Sequence, residues 1–311
     1  MLMKEIIEIY ELLDTPYASG ESIKSYFEDI FPTEIEISKV DSDKANVDFI
    51  RIRIKGEKGK DSGGSSPTLL IIGRLGGIGA RPNINGFVSD GEGALVVLAL
   101  AAKILKMKAV GDELSGDVII CTNITPDAPI INHEPVPFMA SPVDMNIMNE
   151  NEVVGNFDAV FSVDTTKGNN LINRNGFAIS PTVKEGYILK PSSDILKLIE
   201  LVTGEKPSVL PLAMQDITPY GNGLHHINSI MQPAVATNRP VVGLAITSKS
   251  VVSGCFTEST NPYIAEECAR VLLSIVKAFG DNKINLYDKE EYEKLVRLYG
   301  SMRKMQTKGN G

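Results

Sequence analysis

The run from Thr68 to Leu105, TLLIIGRLGGIGARPNINGFVSDGEGALVVLALAAKIL, constrains the fold more than any other stretch of this chain. Thr68 to Ile72 is a short apolar segment between Pro67 and Gly73, the pattern of a strand buried on both faces. Glycines follow at 73, 76, 77, 79 and 86. Ser89 or Asp90 then fits the N-cap of a helix whose interior is almost wholly apolar. Strand, loop and helix open an α/β unit. In open α/β sheets the working site lies beyond the carboxyl ends of the strands. A dinucleotide reading of the loop is weak. Its spacing is GxxGGxG rather than GxGxxG, and Asp90 at the helix mouth would repel a pyrophosphate.

Further apolar β runs alternate with helical patterns. VIICTNI follows Gly116-Asp117, Ala159 to Val163 follows later, and VVGLAI begins at Val241. Residues 2–14 and about 21–31 read as helices, and 34–40 with 47–55 as an antiparallel pair. LINRNGFAI suggests a hairpin turning at Asn175-Gly176. Ser192 or Ser193 caps a helix closed by Gly204, and Asn261-Pro262 starts a long one. A charged helix is expected near 287–298. The expectation is an α/β fold with a mostly parallel central sheet, helices on both faces and some antiparallel edge strands. Residues 1–299 make a single domain with a mobile loop near 56–67, and 300–311 form a disordered tail.

The net charge of −8 and the absence of a Lys/Arg block argue against nucleic acid or an anionic membrane as partner. No apolar run reaches membrane length. The N-terminal stretch reads as an amphipathic helix rather than a signal peptide. The three cysteines, Cys121, Cys255 and Cys268, form neither a CxxC pair nor a disulfide framework. The cytoplasm is the expected compartment, with a small molecule as ligand or substrate and a homo-oligomer as the default assembly.

Acids stand where the chemistry should be. Asp90 comes after the first strand and its loop, Asp127 after VIICTNITP, Asp164 after AVFSV and Asp216 after SVLPLAMQ. Carboxylates gathered on one rim repel unless a cation sits among them or one keeps a proton. That cation is either a divalent metal or a side chain such as Arg74, Lys167 or Lys184. For any single acid the ordinary role is a helix cap or a turn. Their shared position is what favours function. His133 lies in the irregular, proline-rich 125–146 segment, and His225-His226 in a polar loop entering a weak helix. His133 and one of the adjacent pair are acid–base candidates. Cys121 fits an inert buried thiol, while Cys255 lies in a loop.

Two resemblances follow from these residues. GRLGGIGARP, HEPVPFMASPVDM, DTTKGN, GFAISPTVKEGYIL, QDITPYGNGLHHINS and LYGSMR resemble an uncharacterised bacterial and archaeal family, the domain of unknown function 1177 family. More distantly, the order of elements is similar to the co-catalytic zinc aminopeptidases and related exopeptidases. That resemblance implies a phosphorylase/hydrolase-like fold and two metals bridged by an Asp at a helix start, here Asp90. It aligns the Glu-Glu position with Pro126-Asp127 and a later acid with Asp164. The chain departs from that pattern. Arg74-Leu75-Gly76 stands where a His-x-Asp motif is expected, the loop near Ser253-Gly254-Cys255 has no histidine, and the large inserted domain is missing.

A two-zinc site needs those ligands, so no cofactor is expected. A divalent ion on Asp90, Asp127 and Asp164 is the alternative. Arg74 is expected to neutralise Asp90 or Asp164 in place of metal. The functional expectation is a hydrolase of small peptide- or amide-type substrates with a degenerate or absent di-zinc site. Asp90, Asp127, His133 and Asp164 would be catalytic, and Arg74, Lys167, Asp216 and His226 would bind substrate. The alternatives are a non-catalytic binding or regulatory protein on the same scaffold and, more remotely, an assembly component.

Overall fold

A computed structural model describes residues 1–15, 17–74, 87–132, 134, 137–251 and 260–309. The glycine-rich loop from 75 to 86, His133 and Cys255 lie outside the described residues.

Two amphipathic helices, α1 (Met3–Leu13) and α2 (Gly20–Glu28), precede the antiparallel pair β1 (Glu34–Asp41) and β2 (Asn46–Ile54). The organising unit follows as β3 (Leu69–Gly73) and α3 (Glu92–Ala109), then β4 (Val118–Ile124). A two-stranded ribbon, β5 (Ile130–Ile131) with β6 (Phe138–Met139), and helix α4 (Met145–Glu152) occupy the proline-rich segment. Next come β7 (Ala159–Thr166), β8 (Gly176–Ile179), β9 (Val183–Lys184), β10 (Tyr187–Ile188), α5 (Ser193–Thr203) and β11 (Ser208–Val209). The chain closes with β12 (Val241–Thr247), α6 (Pro262–Gly280) and α7 (Lys289–Tyr299).

The main sheet runs β1-β2-β4-β3-β7-β12-β8-β11, with β9 and β10 attached beside β12. Its centre, β4-β3-β7-β12, is parallel. The pairs toward β1 and the β12–β8 pair are antiparallel. This is the mixed α/β architecture expected, and both faces of the centre are dry. Leu69 and Ile71 of β3 pack into one core with α1, α3 and α6, whereas Leu70 and Ile72 enter a second core on the opposite face. Strict alternation along a strand explains why one apolar run serves two cores. α3 is buried along most of its length and is apolar nearly all round, as a helix enclosed by its neighbours must be. No helix among the described residues is long and apolar enough to cross a membrane.

Capping follows the expected chemistry at several ends. Ser192 accepts from Ile195 N, Gly204 is left-handed, and Asn261 accepts from Tyr263 N ahead of Pro262. Two expectations are corrected. The LINRNGFAI segment makes no hairpin of its own; Gly176–Ile179 pairs with β12 instead, the more buried choice for Phe177 and Ile179. The 125–146 segment runs into a helix, α4, capped by Asp144 through Asn146 N. The loop near 56–67 is tied to the buried Asp117, whose carboxylate accepts from Gly56 N and Asp61 N. Residues 300–309 include a 3-10 turn, Arg303–Gln306, held by side-chain hydrogen bonds.

Candidate functional site

The site grows from the way α3 meets the sheet. A side chain at Gly93 would lie 2.5 Å from the Arg74 carbonyl oxygen and 2.8 Å from that of Val163. Glycine there lets the first turn of α3 press against the ends of β3 and β7. Ser89–Gly91 forms a 3-10 turn leading into that helix. Neither Ser89 nor Asp90 caps α3: its N-cap position is Gly91, with no side-chain cap bond. Asp90 instead accepts a hydrogen bond from the Met139 backbone. The ordinary explanation for an acid at a helix start is therefore missing here.

β7 distributes its residues to both sides of the sheet. Val160 lies in one core, Phe161 and Val163 in the other. By the same alternation Asp164 and Thr166 share the Val160 face, while Thr165 points toward α3. Asp164 is 4% exposed; one carboxylate oxygen accepts from Thr165 N at 2.8 Å and the other from Ser229 Oγ at 2.9 Å. Burial pushes its carboxyl up to about 6; Ser229, Thr165 N and Arg74 oppose this, and Asp90 adds to it. On the α3 side, Thr165 Oγ1 lies 3.3 Å from Glu92 Oε2 and Lys167 Nζ 3.7 Å from the same oxygen. Burial pushes Glu92 up to about 7 against the pull of Lys167, Asn261 N and Thr165. Asp90 is also raised, again mainly by burial, with Lys167 opposing. Asp90 thus acts electrostatically on both Asp164 and Glu92. The rim holds three carboxyls, which share too little positive charge for all to ionise readily.

A cavity of about 140 Å³ opens at Asp164, lined also by Thr166, Ile227, Asn228, Ser229 and Ala245. Beneath it lies a buried polar layer. Arg74, 1% exposed, faces Glu152 of α4 at 2.9 Å, a close ion pair not aligned as a hydrogen bond. Its other nitrogens donate to Asn149 Oδ1 and contact Met145 Sδ. Asn123 Nδ2 donates to Glu152, and Asn149 Nδ2 to the Gln232 carbonyl. The expectation that Arg74 neutralises Asp90 or Asp164 is corrected: its direct partner is Glu152, and Asp164 receives only its field. Tyr220 completes the surroundings, its hydroxyl pushed up to about 12 by burial and by Asp164 and Asp216, with Arg74 opposing.

The remaining sequence candidates separate. Lys167 joins Asp90 and Glu92 on the α3 side, and Asp164 is coupled to this group through the charge of Asp90. Asp127 has one buried carboxylate oxygen without a hydrogen-bond partner, and its charge is not among those acting on Asp90. Asp216 is fully buried and does not face the cavity. Its oxygens accept from Ala213 N, Ile227 N and Asn228 N, so it shapes the loop that presents Asn228 and Ser229. His226 stacks on Tyr220 at 4.3 Å, and its ring nitrogens face the carbonyls of Leu224 and Thr218. Both are loop-forming residues rather than substrate contacts in this arrangement. Lys184 bonds Glu185 and the Asn238 carbonyl, away from the rim. Glu92, Ser229, Tyr220 and Glu152 were not singled out by sequence. Only Glu92, two residues after Asp90, carried a local signal.

The described residues do not fit a two-metal centre. No three His, Cys, Asp or Glu side chains among them converge to hold an ion. Both oxygens of Asp164 are engaged by protein donors, with the positive charge of Arg74 acting on Asp164 and that of Lys167 on Asp90 and Glu92.

The fold is that of a peptidase-like α/β protein. The bottromycin maturation enzyme BotP, in complex with Mn, matches 89% of this chain and 70% of its own at 12% identity and TM-score 0.54. The leucine aminopeptidase LAP1 of Caenorhabditis elegans matches 89% and 66% at 13% identity and TM-score 0.54. The cytosol aminopeptidase of Coxiella burnetii matches 89% and 68% at 12% identity and TM-score 0.52. The chain spans about two thirds of the length of these structures. Such identities carry the fold and not the activity. Among curated proteins, none matches in sequence. Residues 38–309 match the protein of unknown function family DUF1177, and the chain belongs to that family.

Proposed function

We propose that this protein is a hydrolase of small peptide- or amide-type substrates, working at the carboxyl rim without a standard di-zinc centre. The supporting observation is Asp164, a buried carboxyl raised to about 6 that opens onto the cavity beside the Ser229 hydroxyl. A group with that affinity for protons accepts and returns one near neutral pH, which general acid–base catalysis of amide cleavage requires. Lys167 supplies positive charge where a carbonyl oxygen gains negative charge in the transition state. Asp90 raises Asp164 further, and Lys167 opposes the rise at Asp90 and Glu92. His133 and Asp127 stay as further proton-handling candidates on the same reading. The peptidase-like scaffold supports a hydrolase over other chemistries only as an analogy.

The test is an amide and dipeptide hydrolysis screen, with and without added divalent metals. Turnover that falls by about two to four orders of magnitude in Asp164→Asn, with the fold intact, is the expected result. A second reading is a non-catalytic small-molecule binder using the same polar-lined cavity at Asp164, Asn228 and Ser229. Ligand-induced thermal stabilisation without turnover, equally strong in the presence of metals, would replace the first reading with the second.

A further inference from the structure

The 300–309 segment lies along the surface and is tied to it at several points. It crosses from the β9–β10 hairpin to the turn that follows the cavity wall. Tyr187 donates its hydroxyl to the Gly300 carbonyl at 2.5 Å. Gly186 has a left-handed backbone, φ +81, and a side chain there would collide with the Met302 carbonyl, so the two backbones lie in contact. Arg303 Nε bonds Glu185 Oε2 at 2.8 Å. Gln306 then extends one amide group to two carbonyls, Ala234 at 3.0 Å and Thr237 at 2.8 Å, on the 3-10 turn Gln232–Val235 and the residues after it. Lys308 Nζ comes within 3.8 Å of where a side chain at Gly221 would begin.

That turn is fastened to the site in its own right. Gln232 is fully buried; its amide donates to the Thr218 carbonyl at 2.8 Å and its oxygen accepts from Tyr220 N at 3.3 Å. Its backbone carbonyl accepts from Asn149, the partner of Arg74. The loop it holds is closed by Asp216 on Ile227 N and Asn228 N, and Ser229 follows with its hydroxyl on Asp164. An unbroken series of contacts therefore joins Gln306 to the carboxyl at the rim.

We propose that residues 300–309 act as a strap that holds the 214–231 wall of the cavity closed, so that release of this segment opens the site. The proposal rests on the cavity at Asp164 being the working site, but not on any chemistry performed there. Two features suit a releasable fastening. The contacts are hydrogen bonds and an ion pair rather than apolar burial, and no residue of Arg303–Gln306 is buried. Hydrogen bonds of this kind are individually worth about 1 kcal/mol, small enough to break locally while the core persists.

Hydrogen–deuterium exchange tests this, because it reads the loop whether or not any substrate is known. The full chain is compared with a chain ending at Gly300 and with the full-length variant Gln306→Ala. Expected is exchange roughly ten- to thirty-fold faster across 214–231 in the shortened chain, a smaller increase in Gln306→Ala, and no change in β3 and β7. Unaltered exchange across 214–231 in both would overturn the proposal. Should shortening unfold the whole molecule, Gln306→Ala alone decides: faster exchange confined to 214–231 sustains the strap, and none, or an increase spread over the sheet, overturns it. A missing hydrolytic activity would leave these outcomes untouched, so the two readings fail separately.

Discussion

Asp164 and Glu92 keep their protons over a range in which an unfolded chain has lost them. Their native values, about 6 and about 7, lie above their ordinary 3.8 and 4.5. The native state then binds more protons than the unfolded state between those limits, and stability must fall as pH rises through the window. Each contribution is on the order of 3 kcal/mol at most, since one pKa unit corresponds to about 1.4 kcal/mol. Urea midpoints at fixed ionic strength should therefore drop between pH 5 and 7, and Asp164→Asn with Glu92→Gln should flatten that slope. A midpoint that climbs across the same interval would show that neither proton is held. Arg74 makes a second residue-level prediction. Arg74→Met should cost about 3–5 kcal/mol by leaving Glu152 charged and unpaired, and Arg74→Met with Glu152→Met should recover most of it. At this scale the sequence was informative where an acid stood next to the end of its own strand. Asp164 directly follows the apolar run of its own strand, and its place at the cavity is legible for that reason. Ser229 was not, because a serine thirteen residues after Asp216 reaches Asp164 only through the fold of the intervening loop. The partner of Arg74 was hidden too, since Glu152 sits on a helix, MNIMNENE, that lacks a clear apolar stripe.

Among the elements, the strands and the long helices were readable because periodicity and caps are local properties. β3, β4, β7 and β12 are apolar runs bounded by breakers, and α5 and α6 carry explicit start signals. The errors arose where tertiary pairing outweighs a local preference. Asn175-Gly176 is a strong hairpin signal, yet Gly176–Ile179 gains a place beside β12 that a hairpin with residues 171–173 would forgo. The junction of α3 with the sheet gives the prediction proper to this scale. Gly93→Ala should destabilise by about 3 kcal/mol or more, because the added methyl meets two backbone carbonyls that cannot turn aside. Chemical denaturation followed by circular dichroism measures it, and a loss below about 0.5 kcal/mol would mean that α3 can lift from β3 freely.

Considered whole, the molecule spreads one sheet between two cores that share their strands. α1, α3, α5 and α6 back one face, while α4 and the 3-10 turns around Asp216 and Gln232 cover part of the other. That asymmetry leaves the cavity on the thinly covered face. It also predicts a single cooperative unfolding transition for residues 1–299, because every central strand contributes to both cores. Far-UV circular dichroism and tyrosine fluorescence should trace coincident urea curves, and two separated transitions would divide the chain into independent units.

β7 carries one last implication. Its consecutive residues Asp164 and Thr165 attend to opposite sides of the sheet, one toward the cavity and the other toward Glu92. Losing or gaining a single codon upstream within that strand would exchange the two assignments at once, aiming the acid at the helix and the threonine at the hollow. Natural variants of this chain should accordingly differ in length around β7 but never within it.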